Sequence, residues 1–326
     1  MILTIVLAIV AGVGLGYILE RGDFCFHSTL RGLVSTPRNL TLVHAYLLSL
    51  LIAVPLVQGL IALGVIEPWV APWAWQANIA GGVLFGVGMV VAATCVTGLF
   101  YKLGHGMLGT IVGLAAWSIG DLLAYRGFLS PLRNSLNRNP INVDGGAATI
   151  LNTLGSAVGV VLLVVVGGLT AVYLYRLPQE KRDKLWSWPL LGLATGLFTS
   201  LAWLLVRLGG YNYTYGTSGV PTGIWVALTE GSNGGNPWIP IALISLIPGA
   251  FLAAYFSKTL WVRGETGKRY TELAIGGLLM GIGAGISGGC NLGHSLVGVP
   301  LLSLGSITTT LSMLAGVFLA DRAFRL

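Results

Sequence analysis

The sequence predicts an all-α integral membrane protein with about nine transmembrane helices in two inverted repeats, with interrupted helices and central loops. The first observation is composition: 55% of the 326 residues are hydrophobic, 9% are charged, and the mean hydropathy is +0.82. A soluble domain carries about 25% charged residues, so soluble globular classes are excluded. The second observation is a series of apolar segments of membrane-spanning length, and the third is an internal repeat.

Nine segments have the apolar character and the length, about 20 residues, of a transmembrane helix. The first, Met1 to Leu19, lacks the positively charged leader of a signal peptide, so we expect it to be retained as a helix. The others lie near residues 40–65, 78–95, 106–125, 149–175, 188–207, 237–257, 272–290 and 300–321. Because glycine is a poor helix former, re-entrant loops at 78–95 and 272–290 are an alternative, which would leave seven spans.

Two of these glycine-rich segments repeat each other. Residues 79–95 and 274–290 align without a gap at an offset of 195, so that four glycines and the terminal cysteine coincide. The tripeptide Leu-Gly-His then follows each cysteine, ending at His105 and at His294. Many membrane transporters consist of internal repeats, with interrupted helices that form the substrate site near the bilayer midplane. The repeat therefore predicts a transporter.

The distribution of lysine and arginine decides between nine spans and seven. With nine spans and the N-terminus outside, 14 of these residues lie on the cytoplasmic side and 4 outside, whereas seven spans divide them 9 and 9. The positive-inside rule favours nine spans, with a cytoplasmic C-terminus and a second copy inverted relative to the first. The net charge of +7 then reflects orientation among lipids, and no nucleic acid is expected. We expect a first repeat over 1–148, a linker helix and basic cytoplasmic loop over 149–187, and a second repeat over 188–326.

Three cysteines are the candidate functional residues. Cys95 and Cys290 end the two repeated segments, and Cys25 follows the first span. An odd count provides no complete disulfide framework, and the separations match no zinc site, so neither a metal nor a cofactor is expected. A membrane cysteine is often only a small buried hydrophobe. The placement of all three at helix ends, beside glycine or charge, instead favours a functional set.

The string Arg21-Gly22-Asp23-Phe24-Cys25-Phe26, with the glycine-rich segments that end at Cys95 and Cys290, resembles the YeeE/YedE family over nearly the whole chain. The resemblance implies a transporter of the bacterial inner membrane, and not an enzyme, that takes up thiosulfate through a narrow path past these three cysteines. It also implies a small sulfur-carrier protein of the TusA type as a cytoplasmic partner. One departure stands out, because the string around Cys25 has no counterpart in the second copy, where residues 210–216 read GYNYTYG.

Thiols suit thiosulfate because the ion carries one soft, polarizable sulfur, and a neutral thiol is a soft, weak donor. Weak contacts in series let an ion enter and leave, whereas a single strong site would trap it. The oxygens of the ion need donors as well, such as backbone N–H groups at helix starts. The candidates for this support are Arg21, Thr97, Gly98, His105, Asn291, Gly293 and His294.

The residues leave two other functions open. The same donors would serve another small sulfur or selenium oxyanion, and a reactive Cys25 beside Arg21 would suit a membrane thiol enzyme that forms a cysteine persulfide. Arg21 and Asp23 form either an ion pair at the cytoplasmic mouth or an ordinary interfacial turn. Structural ion pairs are predicted for Asp121 with Arg126 and for Asp321 with Arg322.

Overall fold

The computed structural model describes residues 1–143, 146–178, 182–231 and 236–324, and nearly all of its regular structure is helical. The first half contains α1 (Ile2–Gly22), α2 (Phe26–Val34), α3 (Thr41–Ala62), α4 (Trp75–Val91), α5 (Val96–His105), α6 (Thr110–Tyr125) and α7 (Ser130–Leu136). A short antiparallel hairpin, β1 (Asn142–Val143) and β2 (Gly146–Ala147), leads to α8 (Ile150–Leu154) and α9 (Ser156–Tyr175). The second half contains α10 (Trp188–Leu208), α11 (Val220–Glu230), α12 (Trp238–Phe256), α13 (Gly267–Ser287), a π-helix (Leu292–Gly298) and α14 (Leu304–Phe324).

Eight helical spans in the described part of the chain are long and apolar enough to cross a membrane, which confirms the predicted all-α membrane class. Two of them, Ile2–Val34 and Trp75–His105, contain a break just before a cysteine. The ninth predicted segment holds α6, which is apolar but has only 16 residues. At 1.5 Å per residue it is about 24 Å long, somewhat less than a hydrocarbon core of roughly 30 Å.

The glycine-rich helices α4 and α13 pack closely against each other. A β-carbon added at Gly81 would lie 2.6 Å from the carbonyl oxygen of Gly283, and one added at Gly88 would lie 2.8 Å from that of Gly276. Since the numbers rise along one helix as they fall along the other, the two helices run antiparallel. Small residues allow such close approach between membrane helices. The repeated segments are therefore helices with a glycine packing face.

Two further pairs of helix contacts correspond when the two halves of the chain are exchanged. Helix α4 packs on α14 as α13 packs on α6, and α1 packs on α12 as α10 packs on α3. These pairs are parallel: on α4 and α14, for example, Gly82 faces Thr309 and Gly86 faces Met313. The packing thus extends the relation between the halves beyond the segments that repeat in sequence. Helix α9 packs on α3 and buries little of its surface.

Candidate functional site

The three cysteines occupy equivalent positions in three helix breaks. A residue with positive φ lies two positions before each cysteine, and these residues are Asp23 (φ 45°), Ala93 (φ 44°) and Gly288 (φ 80°). The cysteine carbonyl oxygen then accepts the N–H of the fourth residue on, at 3.0 Å for Cys25 and 2.9 Å for both Cys95 and Cys290. Each cysteine therefore stands where a new helix begins, beside backbone N–H groups that can bind an anion. Positive φ is rare for alanine, and strain of this kind concentrates at functional sites.

The structure brings Cys25 and Cys95 into direct contact. Their sulfur atoms are 3.6 Å apart, and both thiols are free and buried. The backbone N–H of Cys95 donates to the Cys25 sulfur at 3.4 Å, and that of Gly98 donates to the Cys95 sulfur at 3.3 Å. The hydroxyl of Thr94 lies 3.6 Å from the Cys25 sulfur. This cluster, called the thiol pair below, combines two soft sulfurs with hard hydrogen-bond donors.

Cys290 has hydroxyl-bearing neighbours instead of a second thiol. The backbone N–H of Gly293 and the side chain of Thr217 lie beside its sulfur. The Thr217 side chain is fully buried, and the Cys290 sulfur lies beside its hydroxyl. A β-carbon added at Gly293 would lie 2.8 Å from the hydroxyl of Tyr213. The loop after α10 thus supplies Tyr213 and Thr217 near Cys290, much as the loop after α1 supplies Cys25 near Cys95.

A narrow apolar constriction lies among residues next to all three cysteines. Its volume is about 10 Å³, close to the minimum for one water molecule. The lining residues are Leu19, Phe24, Phe26, Thr97, Asn291, Leu292 and Leu296. Within it, the Asn291 side-chain amide donates to the Thr97 hydroxyl at 3.3 Å, while the Asn291 side-chain oxygen has no partner among the described residues. The structure therefore places Thr97 and Asn291 together in the wall of this small cavity.

An open polar cavity adjoins the thiol pair. It has a volume of about 650 Å³, and Asp23 and Ala93 in its wall each lie two residues before a cysteine of the pair. We call it the polar vestibule and define it by Asp23, His27, Ser28, Arg31, Ala93 and Arg182.

Three other predicted support residues hold the helix ends. Arg21 donates to the Lys184 backbone oxygen at 3.3 Å, and His105 hydrogen-bonds to the carboxylate of Glu20. His294 is buried behind the break before Cys290, where its Nδ1 lies 3.0 Å from the Ser306 hydroxyl oxygen. Among the described residues, no group of three or more His, Cys, Asp or Glu side chains could hold a metal ion.

The ion pairs predicted from the sequence are wrong. Arg21 does not bridge to Asp23, whose carboxylate accepts the Tyr101 hydroxyl at 2.8 Å. Asp321 and Arg322 are adjacent in a helix and do not face each other, and charged side chains of these sets find partners in other elements. Those partners are Arg31 for Asp321, at 3.2 Å, and Glu230 for Arg126, at 3.1 Å.

The sequence matches the family described as sulphur transport over residues 21–319. The chain belongs to this family. Two relatives named thiosulfate transporter TsuA match nearly the full length: that of Spirochaeta thermophila is 29% identical over 315 residues, covering 92% of this chain and 93% of the relative. That of Escherichia coli is 25% identical over 326 residues, covering 96% and 92%. The probable transporter YedE of Escherichia coli is 33% identical over 114 residues, covering 33% and 28%.

Membership of the sulphur transport family confirms the resemblance to YeeE/YedE proteins and identifies the chain as a transporter and not an enzyme. Several residues of the site were nevertheless not predicted from the sequence. They are His27, Thr94, Asp121, Tyr213 and Thr217. Only their position in the repeat could have indicated them. Tyr213 and Thr217 follow α10 as Cys25 follows α1, although the two loops have no sequence similarity.

Asp121 holds the loop that carries Thr217. Its buried carboxylate accepts the Gly219 N–H at 2.7 Å, the Thr222 hydroxyl at 2.6 Å and the Thr222 N–H at 3.2 Å, at the start of α11. A carboxylate there satisfies free N–H groups and complements the helix dipole. We expect Asp121→Ala to increase chymotrypsin cleavage at the tyrosines of residues 211–215 about tenfold in detergent, because hydrogen bonds to a charged group stabilise by about 1.5–3 kcal/mol each.

Ser118→Ala is the matched control for this prediction, because Ser118 lies one turn away on α6 and bonds only the Leu114 carbonyl oxygen of its own helix. Its cleavage rate should equal that of the unmodified protein. If Asp121→Ala is cleaved no faster than Ser118→Ala, the carboxylate does not hold the loop.

Proposed function

We propose that this protein transports thiosulfate, and that the ion passes Cys25, Cys95 and Cys290 in one narrow path. The thiol pair carries the proposal: two helix breaks direct two sulfurs to within 3.6 Å of each other, beside backbone N–H donors and next to a nearly closed constriction. The names of the two full-length relatives support thiosulfate as the substrate. Another small sulfur oxyanion is the alternative that the experiment must exclude.

The chemistry of the path matches both ends of the ion. The thiols meet its soft sulfur through weak contacts, while the N–H groups of Cys95 and Gly98, which now point at sulfur atoms, are placed to meet its oxygens. The constriction has space for about one water molecule, so the ion must exchange its hydration shell for these donors. No single contact is strong enough to trap it.

The proposed topology has nine membrane crossings and two inverted repeats. The first repeat covers residues 1–148 and the second covers residues 188–326, with a linker over 149–187 between them. The antiparallel packing of α4 and α13 and the exchange symmetry of the two further pairs of helix contacts support inversion. With the N-terminus outside and the C-terminus in the cytoplasm of a bacterial inner membrane, the polar vestibule would face the cytoplasm. A sulfur-carrier protein of the TusA type would then meet the ion on that side.

Uptake of radiolabelled thiosulfate into cells that express the protein tests the function. We expect saturable uptake that unlabelled thiosulfate abolishes, while sulfate, sulfite, selenite and tetrathionate in tenfold excess leave most of it. Cells with an empty vector provide the background. Uptake of sulfite or selenite in place of thiosulfate would overturn the substrate, and no uptake of any of these ions would overturn the transport proposal.

Cys25 should be reached from the cytoplasmic side. A membrane-impermeant methanethiosulfonate is expected to label Cys25 in inverted vesicles and to leave it largely unlabelled in intact cells, because the polar vestibule is the open route to the thiol pair. Ser28→Cys, made in a Cys25→Ala chain, is the matched control, since Ser28 lines the same cavity. Faster labelling of both positions from outside would overturn the orientation.

A further inference from the structure

His27 is a buried histidine without a partner in the wall of the polar vestibule. Its side chain is 4% exposed, and neither ring nitrogen has a hydrogen-bond partner among the described residues. An unpartnered buried polar group costs roughly 1–3 kcal/mol, so proteins rarely keep one without a use. His27 is one of the residues that line the open cavity, so its ring lies directly behind the cavity wall.

The groups around His27 favour an anion. Lys102, Arg31 and Arg269 are the cations whose charges act on the ring. The cavity wall also contains one acid, Asp23, but its carboxylate is engaged by the Tyr101 hydroxyl. Three cations around the ring, against one carboxylate in the cavity wall, favour an anionic ligand.

Arg182 adds a planar donor group to the same cavity. One of its terminal nitrogens donates to the Gly22 carbonyl oxygen at 2.7 Å, which fixes the side chain across the end of α1. Its remaining N–H groups have no partner among the described residues. Arg31 also lines the cavity but is already paired with Asp321 at 3.2 Å. Arginine is well suited to oxyanions because its fork of donors matches two oxygens at once.

We propose that the polar vestibule contains a second oxyanion site, in which His27 and Arg182 bind the oxygens of a tetrahedral sulfur oxyanion beside the thiol pair. This inference rests on the proposed transport of thiosulfate, for which it supplies a staging site between the thiols and the open end of the cavity. The site recognises oxygens only, whereas the thiol pair recognises the soft sulfur. It therefore binds sulfate as well as thiosulfate, and selection for thiosulfate occurs at the cysteines.

Sulfate separates the two sites, because it has the oxygens but not the soft sulfur. Equilibrium binding of radiolabelled sulfate to the purified full-length protein is expected to be saturable. His27→Phe keeps a ring of similar size without donors and should weaken sulfate binding about tenfold, the effect of one lost hydrogen bond to a charged group. Arg182→Gln should weaken it by at least as much. His27→Gln keeps an N–H donor and should stay within about threefold of the unmodified protein.

Ser28→Ala is the matched control, since it removes a polar group from the same cavity wall and should leave sulfate binding unchanged. The site is overturned if the unmodified protein does not bind sulfate, or if His27→Phe and Arg182→Gln both bind it normally. Equal loss in His27→Gln and His27→Phe would overturn the donor role of the ring. If His27→Phe is not monodisperse on gel filtration, Arg182→Gln decides. If sulfate binding depends on His27 but the protein takes up no thiosulfate, the transport proposal is refuted and the oxyanion site is still supported.

Discussion

Cys95→Ala is expected to reduce thiosulfate uptake at least about tenfold, the effect of raising the highest barrier by about 1.4 kcal/mol. The substitution removes the sulfur that lies 3.6 Å from Cys25 and that accepts the Gly98 N–H at 3.3 Å. That N–H then has no acceptor in an apolar site, and the ion loses a soft partner next to the constriction. Initial uptake rates at equal membrane abundance provide the measurement.

Cys290→Ala should have a comparable effect, because Cys290 occupies the equivalent break in the second half of the chain. Thr310→Ala is a suitable control in the same half of the chain, since Thr310 is only partly buried and its hydroxyl forms a hydrogen bond with that of Ser295. Near-normal uptake by either cysteine variant would remove that cysteine from the path.

Serine at position 95 distinguishes a relay of weak contacts from covalent sulfur transfer. Cys95→Ser keeps a small donor and acceptor but cannot carry a sulfane sulfur, so a non-covalent path leaves it with more uptake than Cys95→Ala. Because a hydroxyl also binds oxyanions more strongly than a thiol does, mass spectrometry of the unmodified protein after turnover complements this variant. A substantial fraction of Cys25, Cys95 or Cys290 that is heavier by one sulfur atom would contradict the non-covalent path.

Gly98→Ala is the second substitution with a large expected effect. An added β-carbon would overlap the Thr94 hydroxyl and lie 3.2 Å from the Cys25 sulfur and 3.5 Å from the Cys95 sulfur. Overpacking of this kind typically costs about 1–3 kcal/mol, and here the atoms that must move are those of the thiol pair. We expect uptake to fall about tenfold or more, since that cost falls at the narrow part of the path.

Gly168→Ala is the matched control, because it also places alanine in a helix and its added β-carbon would have no neighbour within 4 Å. Its uptake should equal that of the unmodified protein, and both variants should reach the membrane in equal amounts. Normal uptake by Gly98→Ala would show that the thiol pair tolerates an extra carbon and is not the narrow part of the path.

The sequence by itself determined the class of the protein and its family. Scarce charge and long apolar segments are sufficient to predict membrane helices, because lipid excludes unpaired polar groups. The repeat ending at Cys95 and Cys290, with the string around Cys25, was sufficient to predict the transport family. These features are local in sequence, so they can be recognised without knowledge of how the helices pack.

The tertiary structure alone decided how these residues meet. Cys25 and Cys95 are 70 residues apart in the chain, but their sulfur atoms are 3.6 Å apart. This contact depends on the breaks after α1 and α4, where Asp23 and Ala93 adopt a left-handed backbone conformation. The sequence predicted ion pairs between near neighbours, but Asp321 pairs with Arg31, 290 residues away. His27 was not predicted because an exposed and a buried histidine look the same in a sequence. Hydrogen bonding and burial depend on neighbours that only helix packing supplies, so the surroundings of each cysteine could not be predicted from the sequence.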